Sequence, residues 1–337
     1  MSTEILWEPL SSEEKKLVDH DTLWGDKSSQ KDAIVSRPYN CVMPKYYQEI
    51  SDKVRNFEVR DDDIWIVTYP KCGTTWTQEI VWHIMNDVNR EAGELPLFSR
   101  SPFLEFQGIQ SVENSPAKKF ANDPKVEKMI RRIIDESVDY TDTLPKTRPR
   151  IIKTHLPLEL LPDNLLDKAH VVYACRNPKD VCVSYYHHIS DVFDELYEYT
   201  GTFDQFTECF MEGTLEYGRY FNHLKSAWKL RNHPNMKFFW YEDMKKNTKK
   251  EVSDLADFLK HPLSQDKIDD LVEHLSFKNM KQRATDGMGG EKSPLAKFYR
   301  KGEVGDWKNY FEGEKLEKWN TWIAKNLEAT DIDFHFE

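Results

Sequence analysis

The stretch Ile64-Trp65-Ile66-Val67-Thr68-Tyr69 constrains the fold more than any other in the chain. Asp61-Asp62-Asp63 stands before it, Pro70 ends it and Gly73 follows at once. An apolar run of this length, held between charge and a turn, reads as a buried strand. From Thr75 onward Trp76, Ile80 and Ile84 recur at four-residue spacing, the pattern of a helix. Three further runs have the same character: residues 150–155, closed by Pro157; residues 170–175, closed by Asn177-Pro178 with a helix from about Lys179; and residues 237–241. After the last, Thr248-x-x-Glu251 reads as a capping box opening a helix that carries Val252, Leu255 and Leu259. Strands alternating with helices over long connections predict an α/β fold, with a central parallel β-sheet flanked by helices on both faces.

With 337 residues, 39% of them hydrophobic, the chain has core enough for one large domain. We expect a single domain over 1–337. Residues 1–40 would be an N-terminal extension tied to the body by Trp7, Leu10 and Trp24. Residues 283–298 would be a mobile loop, because Asp286-Gly287-Met288-Gly289-Gly290 lies in it. No apolar run approaches the ~20 residues of a membrane helix, and the start lacks the basic and apolar regions of a secretory leader. The 5 cysteines form no Cys-x-x-Cys pair, which disfavours zinc and disulfides. These features predict a cytoplasmic protein without membrane contact. The 47 Lys+Arg against 58 Asp+Glu leave a net charge of −11, which excludes a general nucleic-acid binder. An anionic ligand must then be held by a local cluster of cations.

Four segments supply such clusters. In Thr68-Tyr69-Pro70-Lys71-Cys72-Gly73-Thr74-Thr75-Trp76 a strand turns into a helix whose first amides are free. Gly73 permits close approach of a phosphate, Thr74 and Thr75 add hydroxyls and Lys71 adds charge, so the segment is an anion cradle. It is not the nucleotide P-loop proper, because its Lys precedes the Gly. Without company it could equally be a plain strand–turn–helix corner. In Lys153-Thr154-His155, strand alternation puts Lys153 and His155 on one face. A base beside a cation suits removal of a hydroxyl proton while negative charge develops nearby; a lone strand-end His is otherwise a structural residue. Arg176 ends a strand, where open parallel sheets bind ligands, and Ser184 lies on the helix that follows. The pair suits a phosphate clamp, although Arg176 and Asp180 could instead form a helix-start ion pair. Arg300-Lys301-Gly302 and Gly305-Asp306-Trp307-Lys308 offer a second basic, glycine-opened segment or else a solvated charge run.

These four pieces, in this order and over roughly residues 40–310, closely resemble the cytosolic sulfotransferases. Tyr241-Glu242-Asp243-Met244 and Ser101-Pro102-Phe103-Leu104-Glu105 fit the same family, and the chain reads closest to its insect members. The resemblance implies a P-loop-like α/β fold and in-line transfer of a sulfonyl group from PAPS to a hydroxyl or amine. Lys71, Cys72, Gly73, Thr74, Thr75 and Trp76 would then hold the 5′-phosphosulfate end of the donor. Arg176, Ser184, Arg300, Lys301 and Gly302 would hold its 3′-phosphate. Trp76 and Phe277 would sandwich the adenine, with Tyr241 and Ser276 nearby and Phe298 completing the donor set. His155 would be the base, Lys71 and Lys153 would stabilise developing charge, and Ser184 would join them in catalysis. No metal is required by this scheme. Phe103 and Phe106 match aromatic acceptor-pocket positions, and His155 faces that pocket too. His188 stands where Phe is frequent, which makes the pocket more polar there. The implied partner is a small hydrophobic hydroxyl compound such as a phenol, sterol or retinoid.

Some positions depart from the family pattern. Cys72 replaces a common Ser, and at a helix N-terminus its thiol is expected to be reactive. Leu275 replaces a Thr before Ser276-Phe277, and Glu312-Gly313 replaces the Thr-Val of the family's short dimer motif, so monomer and homodimer both stay open. The residues leave three other readings: a nucleotide-dependent kinase on a related fold, a binding protein without catalysis, and a sulfation-coupled dehydratase of an alcohol.

Overall fold

The structure, a computed structural model, describes residues 4–115, 118, 123–286 and 294–334. Its N-terminal part is a small antiparallel sheet in which β1 (Leu6–Pro9) pairs with β2 (Ile34–Arg37), and β2 with β3 (Val42–Met43). Leu10 and Trp24 are buried, whereas Trp7 is half-buried with its ring on Tyr47 at 5.0 Å.

The main sheet has four parallel strands: β4 (Ile64–Thr68), β5 (Ile151–Thr154), β6 (His170–Cys175) and β7 (Met236–Trp240), in the order β5-β4-β6-β7. All four coincide with the apolar runs of the sequence to within one or two residues. Helix α1 (Thr74–Met85) follows β4, and α2 (Pro178–His187) follows β6. Helix α3 (Tyr220–Lys229) precedes β7, and α4 (Tyr241–Lys246), α5 (Thr248–Phe258), α6 (Gln265–His274), α7 (Phe277–Asp286), α8 (Pro294–Phe298) and α9 (Gly313–Leu327) follow it.

Strand alternation divides the interior into two layers. Ile64 and Ile66 point into one core with Ile80 and Ile84 of α1, Val252 and Leu255 of α5 and Leu271 of α6. Trp65 and Val67 point into the other, with Tyr220 of α3 and Trp319 of α9. Both faces are therefore covered, which is why β4 carries no polar alternation. At the amino end of the sheet, Asp63 and Arg150 form a fully buried pair (2.8 and 2.6 Å) that ties β4 to β5.

One local expectation fails. The helix over 248–258 is capped by Asn247, whose side chain accepts from the Lys250 amide. Helix α4 runs right up to that corner, so Thr248 is already helical and its hydroxyl donates back to the Met244 carbonyl (2.8 Å). Within 283–298, residues up to Asp286 continue α7 and residues 294–298 form α8, so helix occupies both ends of the supposed loop. Gly287, Gly289 and Gly290 lie outside the described residues.

Candidate active site

From β4 the chain steps to β5 on one side, and β6 then pairs on the other. The crevice between the carboxyl ends of β4 and β6 is thus the point where the strand order reverses, the usual ligand position in such sheets. Residues 69–73 leave β4 on one wall, and Arg176 leaves β6 on the other. The turn needs two left-handed residues, Lys71 at φ 67° and Gly73 at φ 97°. Gly73 is also close-packed: a Cβ there would sit 2.7 Å from the Tyr241 ring. It caps α1 without a side chain, so the first amides of that helix point into the crevice with no internal acceptor.

His155 stands just past β5 and is buried. Its Nδ1–H donates to the Thr68 carbonyl (2.8 Å), with the Thr68 hydroxyl at 3.1 Å. That bond fixes the proton on Nδ1 and leaves Nε2 as the lone-pair acceptor. The residue is clamped from behind as well. Its amide donates to Glu105 (2.7 Å), and its carbonyl accepts from His223 Nε2 (3.0 Å). The rings of Phe103 (5.4 Å) and Tyr217 (5.3 Å) meet the imidazole edge to face. Burial first, then Lys153, hold the imidazole well below the usual histidine value. Both effects favour the neutral ring.

Phe103 reaches this position because residues 102–104 run along the edge of β5. The Lys153 amide donates to the Pro102 carbonyl (2.8 Å), and the Leu104 amide donates to the Lys153 carbonyl (2.9 Å). The Lys153 ammonium lies 3.7 Å above the Phe103 ring, and the Phe106 ring packs on Phe103 at 5.2 Å in a tilted contact. Burial pushes Lys153 down and Glu105 up from their ordinary values. Lys71 extends its ammonium over Phe298 (3.8 Å) and to Nδ1 of His188 (3.3 Å). His188 opens a π-helical turn, His188–Val192, at the end of α2. Such turns re-aim side chains at functional sites. The predicted Lys71, Lys153, His155, His188, Phe103 and Phe298 thus meet around one point.

The other end of the crevice is built on Tyr241. Its ring lies under Gly73, meets Trp76 edge to face (5.8 Å) and carries the Arg176 guanidinium 4.5 Å above its face. Phe277 opens α7 and packs on Gly302, where a Cβ would sit 2.1 Å from the ring. Asp306 gathers Arg300 and Lys301 (2.5 Å each). Burial alone would raise this carboxyl, but the bonds from Lys301 and Arg300 hold it at about 2. The loop is docked by Asp180, which accepts from the Gly305 (2.7 Å) and Trp307 (3.0 Å) amides. Arg176 donates to the Glu303 carbonyl (2.8 Å) and comes only within 3.7 Å of Asp180. Asp180 thus docks the 305–307 loop and is at most a marginal partner for Arg176.

Three predicted contacts are placed differently. The Thr74 hydroxyl is spent on Thr68 (2.6 Å), while Thr75 is only partly buried. Ser276 accepts from the Asn279 amide (3.3 Å) as the cap of α7. The expectation of a reactive Cys72 is wrong: the thiol is fully buried, and desolvation raises its pKa far above the ordinary value. All five cysteines are buried. In the native protein a disulfide reagent should therefore find no fast thiol, and in guanidinium it should find five. A fast-reacting thiol in the native state would contradict this packing. Ser184 lies on α2 and is partly buried.

Two observations ask for an anion here. Lys71 lies among Lys153, Arg176 and Arg300, and after burial these cations hold its ammonium well below the ordinary lysine value. Arg176 Nε is buried with no partner among the described residues. The sulfotransferase domain model matches residues 61–331. Rat sulfotransferase 1A1 is 37% identical over 308 residues, 87% of this chain and 93% of that protein.

The chain belongs to the sulfotransferase family.

It is a PAPS-dependent sulfotransferase. Mouse sulfotransferase 1B1 is 34% identical over 84% of the chain and 88% of its own length. Among solved structures, retinol dehydratase in complex with androsterone and inactive cofactor PAP matches with a TM-score of 0.84 at 29% identity, covering 99% of both chains. Mouse sulfotransferase SULT7A1 complexed with PAP matches with a TM-score of 0.65 at 26% identity, covering 87% of this chain and 93% of that one. Several side chains to which the motifs gave no part in the site meet its residues in the structure: Thr68, Tyr217 and His223 around His155, and Asp306 within the basic loop. Glu105 had a weak signal, as a carboxylate between Leu104 and Phe106 in an apolar stretch.

Proposed function

We propose that this sulfotransferase sulfonates the hydroxyl of a small hydrophobic acceptor, a phenol, sterol or retinoid, with His155 as general base. The observation that carries the reading is the commitment of His155 Nδ1 to Thr68, which leaves Nε2 beside Phe103 and between two lysines. Bound PAPS would supply a sulfonyl group on a phosphosulfate anhydride. Lys71, the α1 amides and Thr75 would hold its 5′ end. Arg176, Ser184, Arg300, Lys301 and the Gly302 amide would hold the 3′-phosphate, with Trp76 and Phe277 on the adenine. Phe103 and Phe106 present the apolar wall that orients an acceptor. His155 Nε2 takes the hydroxyl proton, and Lys71 and Lys153 offset the negative charge that develops. On the family relationship we place the protein in the cytoplasm.

The ionisations give a pH test. His155 must be neutral, and its value lies well below 6.5, so kcat/KM should stay level as pH falls through 6.5 and drop only further down. Lys153 must be charged, and burial lowers its value from 10.5, so the alkaline limb should come early. Lys153→Arg should move that limb upward, because arginine stays charged. An unmoved limb would remove Lys153 from the profile.

A second reading is favoured by the 99% mutual coverage with retinol dehydratase. In that reading the sulfate ester of an allylic alcohol loses sulfate as its C–O bond breaks, and an sp3 carbon at the other end of the conjugated double bonds gives up a proton, for net dehydration. Product analysis with retinol and PAPS separates the two. A retained sulfate ester supports transfer alone, and a dehydrated hydrocarbon with free sulfate supports elimination.

A further inference from the structure

A cavity of about 230 Å³ opens where the β2–β3 turn, the segment after β5 and helix α3 meet. None of Lys71, Lys153, His155, Arg176 or Arg300 lines it, so it is not the site described above. Its inner wall includes His223 and Tyr217, the residues that touch His155 from behind.

The lining is amphipathic. Tyr39 and Pro157 supply apolar surface, while Arg219, Lys225 and Lys229 supply three cations against the single carboxylate of Glu159. Lys225 and Lys229 are four residues apart on α3 and share a face. Among the described residues no carboxylate pairs with either, and Arg219 has only an exposed contact with Glu212 at 3.5 Å. In a chain of net charge −11, an uncompensated positive pocket is a local construction. Ser226 gives an independent sign. It lines the cavity at 7% exposure, yet its hydroxyl has no partner among the described residues. A helical serine can return its hydroxyl to the carbonyl one turn back; among the described residues this one finds no such partner.

We infer that this cavity is a second ligand site, separate from the catalytic crevice, for a small flat monoanion such as an arene carboxylate. The apolar body would lie against Tyr39 and Pro157. The carboxylate would take bonds from Lys225, Lys229 and the Ser226 hydroxyl. A cavity of about 230 Å³ has room for a one- or two-ring arene.

The probe is 2-naphthoate, with neutral 2-naphthamide as the control, titrated calorimetrically into the full chain saturated with PAP. Two variants isolate the cavity: Lys225→Gln with Lys229→Gln, and Asn222→Trp, an exposed α3 position on the cavity wall whose ring would fill it. Naphthoate should bind saturably, at least about tenfold more tightly than the amide and about tenfold more tightly than to the double variant. Asn222→Trp should abolish that binding. Both variants should melt and turn over a phenol as the parent does. Equal affinity in all three proteins, equal affinity for the amide, or no binding to the parent would overturn the inference.

Discussion

His155→Ala is expected to lower turnover by about 10²–10⁴-fold, the usual worth of a positioned general base, while PAP binds as before. The split follows from geometry. Nδ1 of His155 is tied to the Thr68 carbonyl, and the main chain is held by Glu105 and His223, so the ring contributes Nε2 and little else to the crevice. The cation cluster around Lys71 and Arg176 does not depend on it. The loss should appear in kcat with little change in KM for the acceptor, the signature of an interaction made in the transition state. His155→Gln retains bulk and a hydrogen bond but has no basic nitrogen, and should be nearly as slow. Turnover within a few-fold of the parent would remove His155 as the base.

The second large effect is expected from Arg176→Ala, measured as affinity for PAP and for 5′-AMP, which lacks only the 3′-phosphate. Arg176 is 8% exposed, stacks on Tyr241 and has a buried Nε without a partner among the described residues. Truncating one member of a desolvated charge pair costs about 2–5 kcal/mol, roughly 30-fold or more in affinity. PAP should lose that much and AMP far less. Arg176→Lys keeps the charge but not the fork, and should fall between. Equal losses for both nucleotides would put Arg176 at the wrong end of the donor. A native melting temperature in each variant guards against misfolding.

Much of this was legible in the sequence because it is local. The four strands of the main sheet are short apolar runs buried on both faces, and such runs announce themselves. Lys71, Gly73, His155 and Arg176 sit at strand ends or in loops beside them, where topology alone brings them together. What stayed hidden depends on contacts between distant segments. Thr68 fixes the tautomer of a residue 87 positions away. Asp180 docks a loop more than 120 positions later. His188 reaches Lys71 from a π-helical turn that no hydrophobic pattern predicts. No Thr248 box forms because the preceding helix runs up to it, and the Cys72 thiol is unreactive because this helix N-terminus is buried, not wet. The N-terminal β-pairing left no clear alternation, since β1 is mostly exposed.

The central claim is that the crevice is built for the 3′-phosphate of PAP. The most direct measurement is thermal stability with PAP, with 5′-AMP as control. A ligand present at about 100 times its Kd and bound only to the folded state adds roughly 2.7 kcal/mol. The account predicts a clear rise in melting temperature with PAP and little or none with AMP at the same concentration. Equal rises with both, or none with PAP in a folded sample, would contradict it.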